Sequence, residues 1–99
     1  MKQITRLMRD AFLDGTSFRR DNTEVRVDDE VIAIYLFGNK IAARSKDHPE
    51  RIMITNCGWD TVTTKERLNA LPNVRINQKN YHWYLNGEQW SGAPTTVKL

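Results

Sequence analysis

The stretch VIAIYLFGNKIAAR, which runs from Val31 to Arg44, predicts a β-hairpin at the centre of a sheet. Its first seven residues are all apolar, and a strand that is apolar on both sides is typical of a sheet whose two faces are covered. Gly38 and Asn39 should form the two-residue turn, because glycine adopts a positive φ at little cost. The return segment KIAAR then forms the second strand of the hairpin.

Segments on both sides of this hairpin predict further strands. SFRRDNTEVRV alternates between apolar and polar residues and is interrupted at Asp21-Asn22, which predicts two strands joined by a turn. RIMIT, after the turn KDHPE, predicts another strand, and NVRIN with YHWYLNG predicts a second hairpin near the end of the chain. Strands that are joined by short turns must pair antiparallel.

The N-terminal segment predicts an amphipathic helix that ends at Gly15, a residue type that readily adopts the left-handed conformation of a helix end. Its apolar side chains recur at the spacing that places them on one helix face, namely Ile4, Leu7, Met8, Ala11 and Phe12. A helix on a membrane surface shows the same stripe. The polar face here holds few cations and includes acids, so we expect the helix to pack on the protein's own sheet.

A short second helix is expected in the segment TVTTKERLNALP. Thr63 is followed three residues later by Glu66, which is the spacing of a capping box. In that motif each of the two side chains accepts a hydrogen bond from the backbone amide of the other residue. Leu68 and Leu71 provide the buried side of this helix, and Pro72 should end it.

Together these elements predict one small α+β domain over residues 1–90. Its antiparallel sheet should contain about five to six strands, with the N-terminal helix and the short second helix packed on it. A chain of 99 residues has room for one compact domain. The final stretch SGAPTTVKL, residues 91–99, is expected to be a loose C-terminal tail.

Composition and motifs argue against catalysis, cofactors and a membrane location. Cys57, the single cysteine, is interpreted as a small hydrophobe at a strand end, and the two histidines lack metal-ligand spacing. Motifs of phosphate-binding loops, hydrolase nucleophiles and zinc-binding helices are missing from the sequence. Every apolar run is far shorter than the roughly 20 residues that cross a bilayer. We therefore expect no catalytic residue, metal, cofactor or membrane contact.

The start of the second helix is the first candidate site. A helix N-terminus offers free amides and a partial positive charge, so it can hold an anion such as phosphate. The residues that would supply donors and charge there are Thr61, Thr63, Thr64, Lys65 and Arg67. Asp60 and Glu66 oppose anion binding at that end. The alternative interpretation is that these threonines only cap the helix.

The late hairpin is the second candidate site. His82 and Tyr84 alternate with Trp83, so they point to the opposite side of their strand. If that side is open, it can stack on bases or fill a pocket of a partner. The predicted partner-binding residues are His82, Tyr84, Arg75, Lys79 and Trp90. A sheet face buried under a helix is the alternative.

A basic edge on the early strands is a third feature of the sequence. Its cations are Arg19, Arg20, Arg26, Arg44 and Lys46. They suit an anionic partner, and they also suit a charged edge that prevents strand addition from another molecule.

Four segments of the chain resemble a family of small tailed-phage proteins: AFLDGTSFRRDNTEV, YLFGNKIAAR, TNCGWDTVTTKERLNALP and NQKNYHWYLNGEQW. The shared pattern is a Gly-Asn turn, a Gly-Trp followed by a Thr-Thr-x-x-Arg-Leu helix start, and a closing Trp-Tyr-Leu-Asn-Gly. The resemblance covers roughly residues 11–90. It implies a phage origin, residence in the host cytoplasm during infection, and a non-structural accessory role.

Two functions are consistent with these features. The first is a non-catalytic protein that binds a host bacterial protein and inhibits a host defence or another host process. Surplus aromatic residues favour it, because protein interfaces are rich in Trp, Tyr and Arg. The alternative is a nucleic-acid or nucleotide-binding protein that uses a basic and aromatic sheet face and the start of the second helix. The pI of about 9.2 favours it, but a net charge of +3 is a modest excess.

Overall fold

The structure is a computed structural model that describes residues 1–98. Within these residues the chain forms two helices and nine strands. In chain order they are α1 (Gln3–Asp14), β1 (Phe18–Arg20), β2 (Thr23–Val27), β3 (Val31–Leu36), β4 (Asn39–Ser45), β5 (Arg51–Ile54), α2 (Val62–Leu68), β6 (Ile76–Lys79), β7 (His82–Leu85), β8 (Glu88–Gln89) and β9 (Thr95–Lys98).

A six-stranded antiparallel sheet organises the molecule in the order β1-β2-β3-β4-β5-β9, with the β3–β4 hairpin in the middle. The α+β class and the antiparallel sheet with two helices are thus confirmed. The late hairpin does not extend this sheet. It forms a separate three-stranded sheet, β6-β7-β8.

The N-terminal helix covers one face of the large sheet. Met8 and Phe12 on α1 are fully buried against Ile34 and its neighbours on β2 to β5. Gly15 adopts φ 76°, and its amide donates to the carbonyl of Ala11, which confirms the predicted helix end. Arg44 on β4 donates to the carbonyl oxygen of Phe12 at 2.8 Å, so the end of α1 is also tied to the sheet.

The opposite face of the large sheet is open, and the prediction that both faces of β3 are covered is wrong. Tyr35 on this face is only half-buried, and its cross-strand neighbours are Glu24 and Lys40. Its ring lies under the guanidinium group of Arg26, 3.9 Å from ring centroid to guanidinium carbon. The reason is that α1 and α2 both pack on the Ile34 side of the sheet.

The turn of the central hairpin lies one residue earlier than predicted. Leu36 pairs with Asn39, so the two turn residues are Phe37 and Gly38, with φ of 50° and 79°. Two positive φ angles define the type I′ turn, which matches the twist of the flanking strands. As a result, Phe37 sits at the tip of the hairpin instead of ending a strand.

The predicted capping box of α2 is wrong. Thr61 is the N-cap, and its Oγ1 accepts from the amide of Thr64 at 3.1 Å. Glu66 instead accepts from the hydroxyl of Thr5 on α1, at 2.6 and 2.7 Å, and from the guanidinium group of Arg67. The carboxylate therefore joins two helices rather than capping one of them.

Replacement of Thr61 by alanine should lower the free energy of unfolding by about 1 kcal/mol, because the amide of Thr64 loses its acceptor. Thr63→Ala is the matched control and should change stability by less than about 0.5 kcal/mol. Urea denaturation followed by circular dichroism measures both. A larger loss of stability in the Thr63 variant than in the Thr61 variant would show that Thr63 caps the helix.

Part of the predicted loose tail belongs to the large sheet, so the domain extends beyond residue 90. Residues 95–98 form β9, which pairs with β5 and sets Val97 opposite Ile52 in the core. The amide of Asn56 and the hydroxyl of Thr55 both donate to the carbonyl of Gly92, at 3.0 and 2.7 Å. These two hydrogen bonds hold the segment before β9 next to the end of β5, so β9 pairs with the free edge of β5. Leu99 lies outside the described residues.

Candidate partner-binding site

A pocket of about 400 Å³ opens between the tip of the central hairpin and the loop before α2. Its surface is mostly apolar. The lining residues are Leu36, Phe37, Asn39, Ile41, Asn56, Trp59, Thr61 and Thr64. All of them belong to two of the segments that carry the phage resemblance, YLFGNKIAAR and TNCGWDTVTTKERLNALP.

Two exposed aromatic side chains border this pocket. Phe37 is 69% exposed and Trp59 is 57% exposed. The type I′ turn presents Phe37, and a tight turn closed by the Trp59 amide on the carbonyl of Asn56 presents Trp59. Large apolar side chains grouped on a surface mark a site for interaction with another molecule. We call this site the Phe37–Trp59 pocket.

Several polar groups of the Phe37–Trp59 pocket form hydrogen bonds within the protein. Asn56 Oδ1 accepts from the amide of Gly58 at 2.8 Å. The hydroxyls of Thr61 and Thr64 lie 3.0 Å apart and bond to each other. The pocket therefore offers mainly apolar surface, and it suits an apolar side chain better than a polar small molecule.

The five residues predicted to bind an anion do not share one accessible surface. Thr64 is buried under the helix start. Arg67 is buried and donates to Thr5 at 2.9 Å and to Thr23 at 3.1 Å. Lys65 donates to Gln78 at 3.2 Å. Thr61 and Thr63 remain near the surface, but the helix has seven residues and its start is already capped.

The residues predicted on the late hairpin come together only in part. Lys79 pairs with His82, and Tyr84 lies on the same side of the small sheet. His82 is exposed, with Nδ1 3.2 Å from Gln89 Nε2, while Tyr84 is half-buried. Arg75 is exposed just before β6. The role of these four residues in partner binding stays a prediction.

Trp90 packs on the other side of β7, but it borders one surface depression together with His82 and Gln89. Its ring packs on Trp83 with centroids 6.2 Å apart, and its Nε1 donates to the carbonyl of Ala93 at 3.0 Å. Trp83 is a buried core residue, so the Trp90 ring lies on the inner side of β7.

Sequence reasoning missed Phe37 and the pocket that it borders. Because Phe37 ends an apolar run, the sequence predicts it to be the last residue of a buried strand. The useful signal is its position directly before Gly38, since a type I′ turn needs two residues with positive φ and places the first at the hairpin tip.

Cys57, which the sequence predicts to be a small hydrophobe at a strand end, lies exposed in a turn between β5 and α2. Partial burial raises the pKa of its thiol, and the nearby charge of Lys40 opposes this shift only in part. The thiol also donates to the carbonyl of Lys40 at 2.8 Å. Because the thiolate is the nucleophilic form, a raised pKa does not suit a catalytic cysteine.

Neither a metal site nor a membrane span is found in the part of the chain that the structure describes. Among residues 1–98, no three His, Cys, Asp or Glu side chains cluster as metal ligands would. No helix within the same range has the length and apolar character needed to cross a bilayer.

Comparison with known proteins places the chain in a phage family. Residues 1–97 match the model of the Kyanoviridae Gp96 protein family, which confirms the resemblance to small tailed-phage proteins. No curated protein and no solved structure matches the chain. Since the match covers nearly all of its residues, the chain belongs to the Kyanoviridae Gp96 family of cyanophage proteins.

Proposed function

We propose that this cyanophage protein is a non-catalytic binding protein that holds an apolar side chain of a host protein in the Phe37–Trp59 pocket. The observation that carries the proposal is the mostly apolar cavity between two exposed aromatic side chains. By occupying a surface of its partner in the host cytoplasm, the protein inhibits a host defence or another host process. Its phage origin points to a bacterial partner.

The size and chemistry of the pocket favour a protein over a small polar ligand. A volume of about 400 Å³ accommodates one large apolar side chain and leaves room around it. Interface energy concentrates in a few aromatic anchors and the pockets that receive them. Phe37 and Trp59 supply such anchors at the border of the pocket.

Loss of both aromatic side chains should strongly weaken partner binding. In the double variant Phe37→Asn/Trp59→Ala, asparagine tolerates the positive φ of the turn, so the hairpin is retained. We expect binding to weaken by about 2 kcal/mol or more, roughly 30-fold, which is the effect of removing an interface hot spot. Capture from nuclease-treated cyanobacterial lysate identifies the partner, and calorimetric titration with that partner measures the affinity.

The control is His82→Ala/Tyr84→Ala on the late hairpin, the site predicted from the sequence. This variant should bind the partner as tightly as the natural protein does, and thermal melting checks that both variants are folded. If the hairpin variant loses binding while the Phe37–Trp59 variant keeps it, the late hairpin is the interface and the proposed pocket is not.

A further inference from the structure

The open face of the large sheet is a second candidate binding surface, and the strand pairing defines its residues. Cross-strand pairing gives its members, because paired residues point to the same side of a sheet. One row joins Arg19, Glu24, Tyr35 and Lys40, and the next joins Arg26, Ala33, Ala43, Met53 and Thr96. Arg51 and Lys98 pair on the same side near the β9 edge. We call these residues the open face.

Positive charge dominates the open face. The cations on it are Arg19, Arg26, Lys40, Arg51 and Lys98. The acids are Glu24 and, at the end of β2 in the same surface depression, Asp28. Glu24 accepts from Arg26 Nε at 2.8 Å, so its charge is largely neutralised within the face. The remaining cations are spread from the β1 edge to the β9 edge, over about 24 Å at the usual strand spacing.

A planar stacking surface lies among these cations. The guanidinium group of Arg26 lies over the ring of Tyr35, and the Arg26 side chain is still 55% exposed. Ala33, Ala43 and Met53 continue the same row with short or slender side chains. A flat strip next to an exposed guanidinium plane leaves room for a nucleobase to stack.

We propose that the open face binds single-stranded nucleic acid, independently of the Phe37–Trp59 pocket. The distributed cations pair with successive phosphates, and a base stacks on the exposed plane of Arg26. A duplex keeps its bases inside, so it cannot use this plane. An acidic protein would use the charges alone, and the stacked Arg26–Tyr35 pair favours nucleic acid over that occupant.

Fluorescence anisotropy with labelled oligonucleotides of about 12 residues tests the proposal. Single-stranded DNA or RNA should bind at about 50 mM salt, and the affinity should fall steeply as salt rises. Duplex DNA should bind at least about tenfold more weakly, because it lacks a base stack that contributes about tenfold or more to the affinity. Polyglutamate of equal length is the ionic control. If polyglutamate binds as tightly as the single strand does, the open face suits an acidic protein and the proposal is overturned.

Charge-reversal variants locate the site. Lys40→Glu/Arg51→Glu should weaken single-strand binding by about tenfold or more. Lys2→Glu/Arg6→Glu makes the same change in net charge at the exposed start of α1, on the other side of the sheet, and should have a much smaller effect. Equal losses in the two variants would mean that net charge alone drives binding, which would overturn the assignment.

Arg26→Lys tests stacking with charge retained. Lysine keeps the cation but has no planar group, so single-strand binding should weaken severalfold while polyglutamate binding is unchanged. If Lys40→Glu/Arg51→Glu does not fold, this milder variant decides the question, and unchanged affinity would overturn the proposal. Phe37→Asn/Trp59→Ala should bind nucleic acid normally, so failure of the pocket and failure of the open face are distinguishable.

Discussion

Replacement of Arg67 by methionine should lower the free energy of unfolding by about 3 to 5 kcal/mol, the usual effect of breaking a buried ion pair. Arg67 is buried and donates to Thr5, Thr23 and Glu66. Methionine retains most of the volume but makes none of these hydrogen bonds. The carboxylate of Glu66 would then be left partly buried beside apolar atoms without its counter-charge.

Urea denaturation with a two-state fit measures this effect. Arg75→Met is the matched control, because Arg75 is exposed and its replacement should change stability by less than about 0.5 kcal/mol. A loss below about 1 kcal/mol for Arg67→Met would show that the cluster of Thr5, Thr23, Glu66 and Arg67 does not hold α1, β2 and α2 together.

Replacement of Ile34 by alanine should lower the free energy of unfolding by about 2 to 5 kcal/mol. Ile34 on β3 is fully buried on the side of the sheet that α1 covers. Its removal therefore leaves a cavity that the packed core cannot close. Tyr35→Ala, its neighbour on the open face, should cost only about 1 kcal/mol, from the lost contact with Arg26 and the lower strand propensity of alanine.

Guanidinium denaturation of both variants provides the comparison. A Tyr35→Ala loss as large as that of Ile34→Ala would mean that something covers the open face in solution. The proposed nucleic-acid surface would then be inaccessible, whereas the proposal for the Phe37–Trp59 pocket would be unaffected.

Much of the fold is predictable because the signals that specify it are local. The spacing of apolar residues on α1 and the glycine after it predict the helix and its end, and both are confirmed. The turn at Asp21-Asn22 joins β1 and β2 as predicted. Short turns between strands also dictate antiparallel pairing, which the six-stranded sheet shows.

The start of α2 shows how a distant contact overrides a local pattern. Thr63 and Glu66 have the spacing of a capping box, but the carboxylate of Glu66 accepts a hydrogen bond from Thr5, which is far away in sequence. Thr61 then caps the helix, because its hydroxyl is close to the amide of Thr64. The same distant packing buries Arg67, so a residue predicted to bind an anion serves the core.

By itself, the sequence determined the α+β class, the N-terminal helix and the antiparallel order of consecutive strands, since each depends on residue spacing within one segment. Tertiary structure alone decided which face of β3 is open, that residues 95–98 pair with β5, and that Phe37 and Trp59 border one pocket. The physical reason is that both helices pack on one side of the sheet and that the pocket joins segments separated by two strands. The residues that meet in such contacts lie far apart in sequence, so the residue pattern within one segment does not predict them.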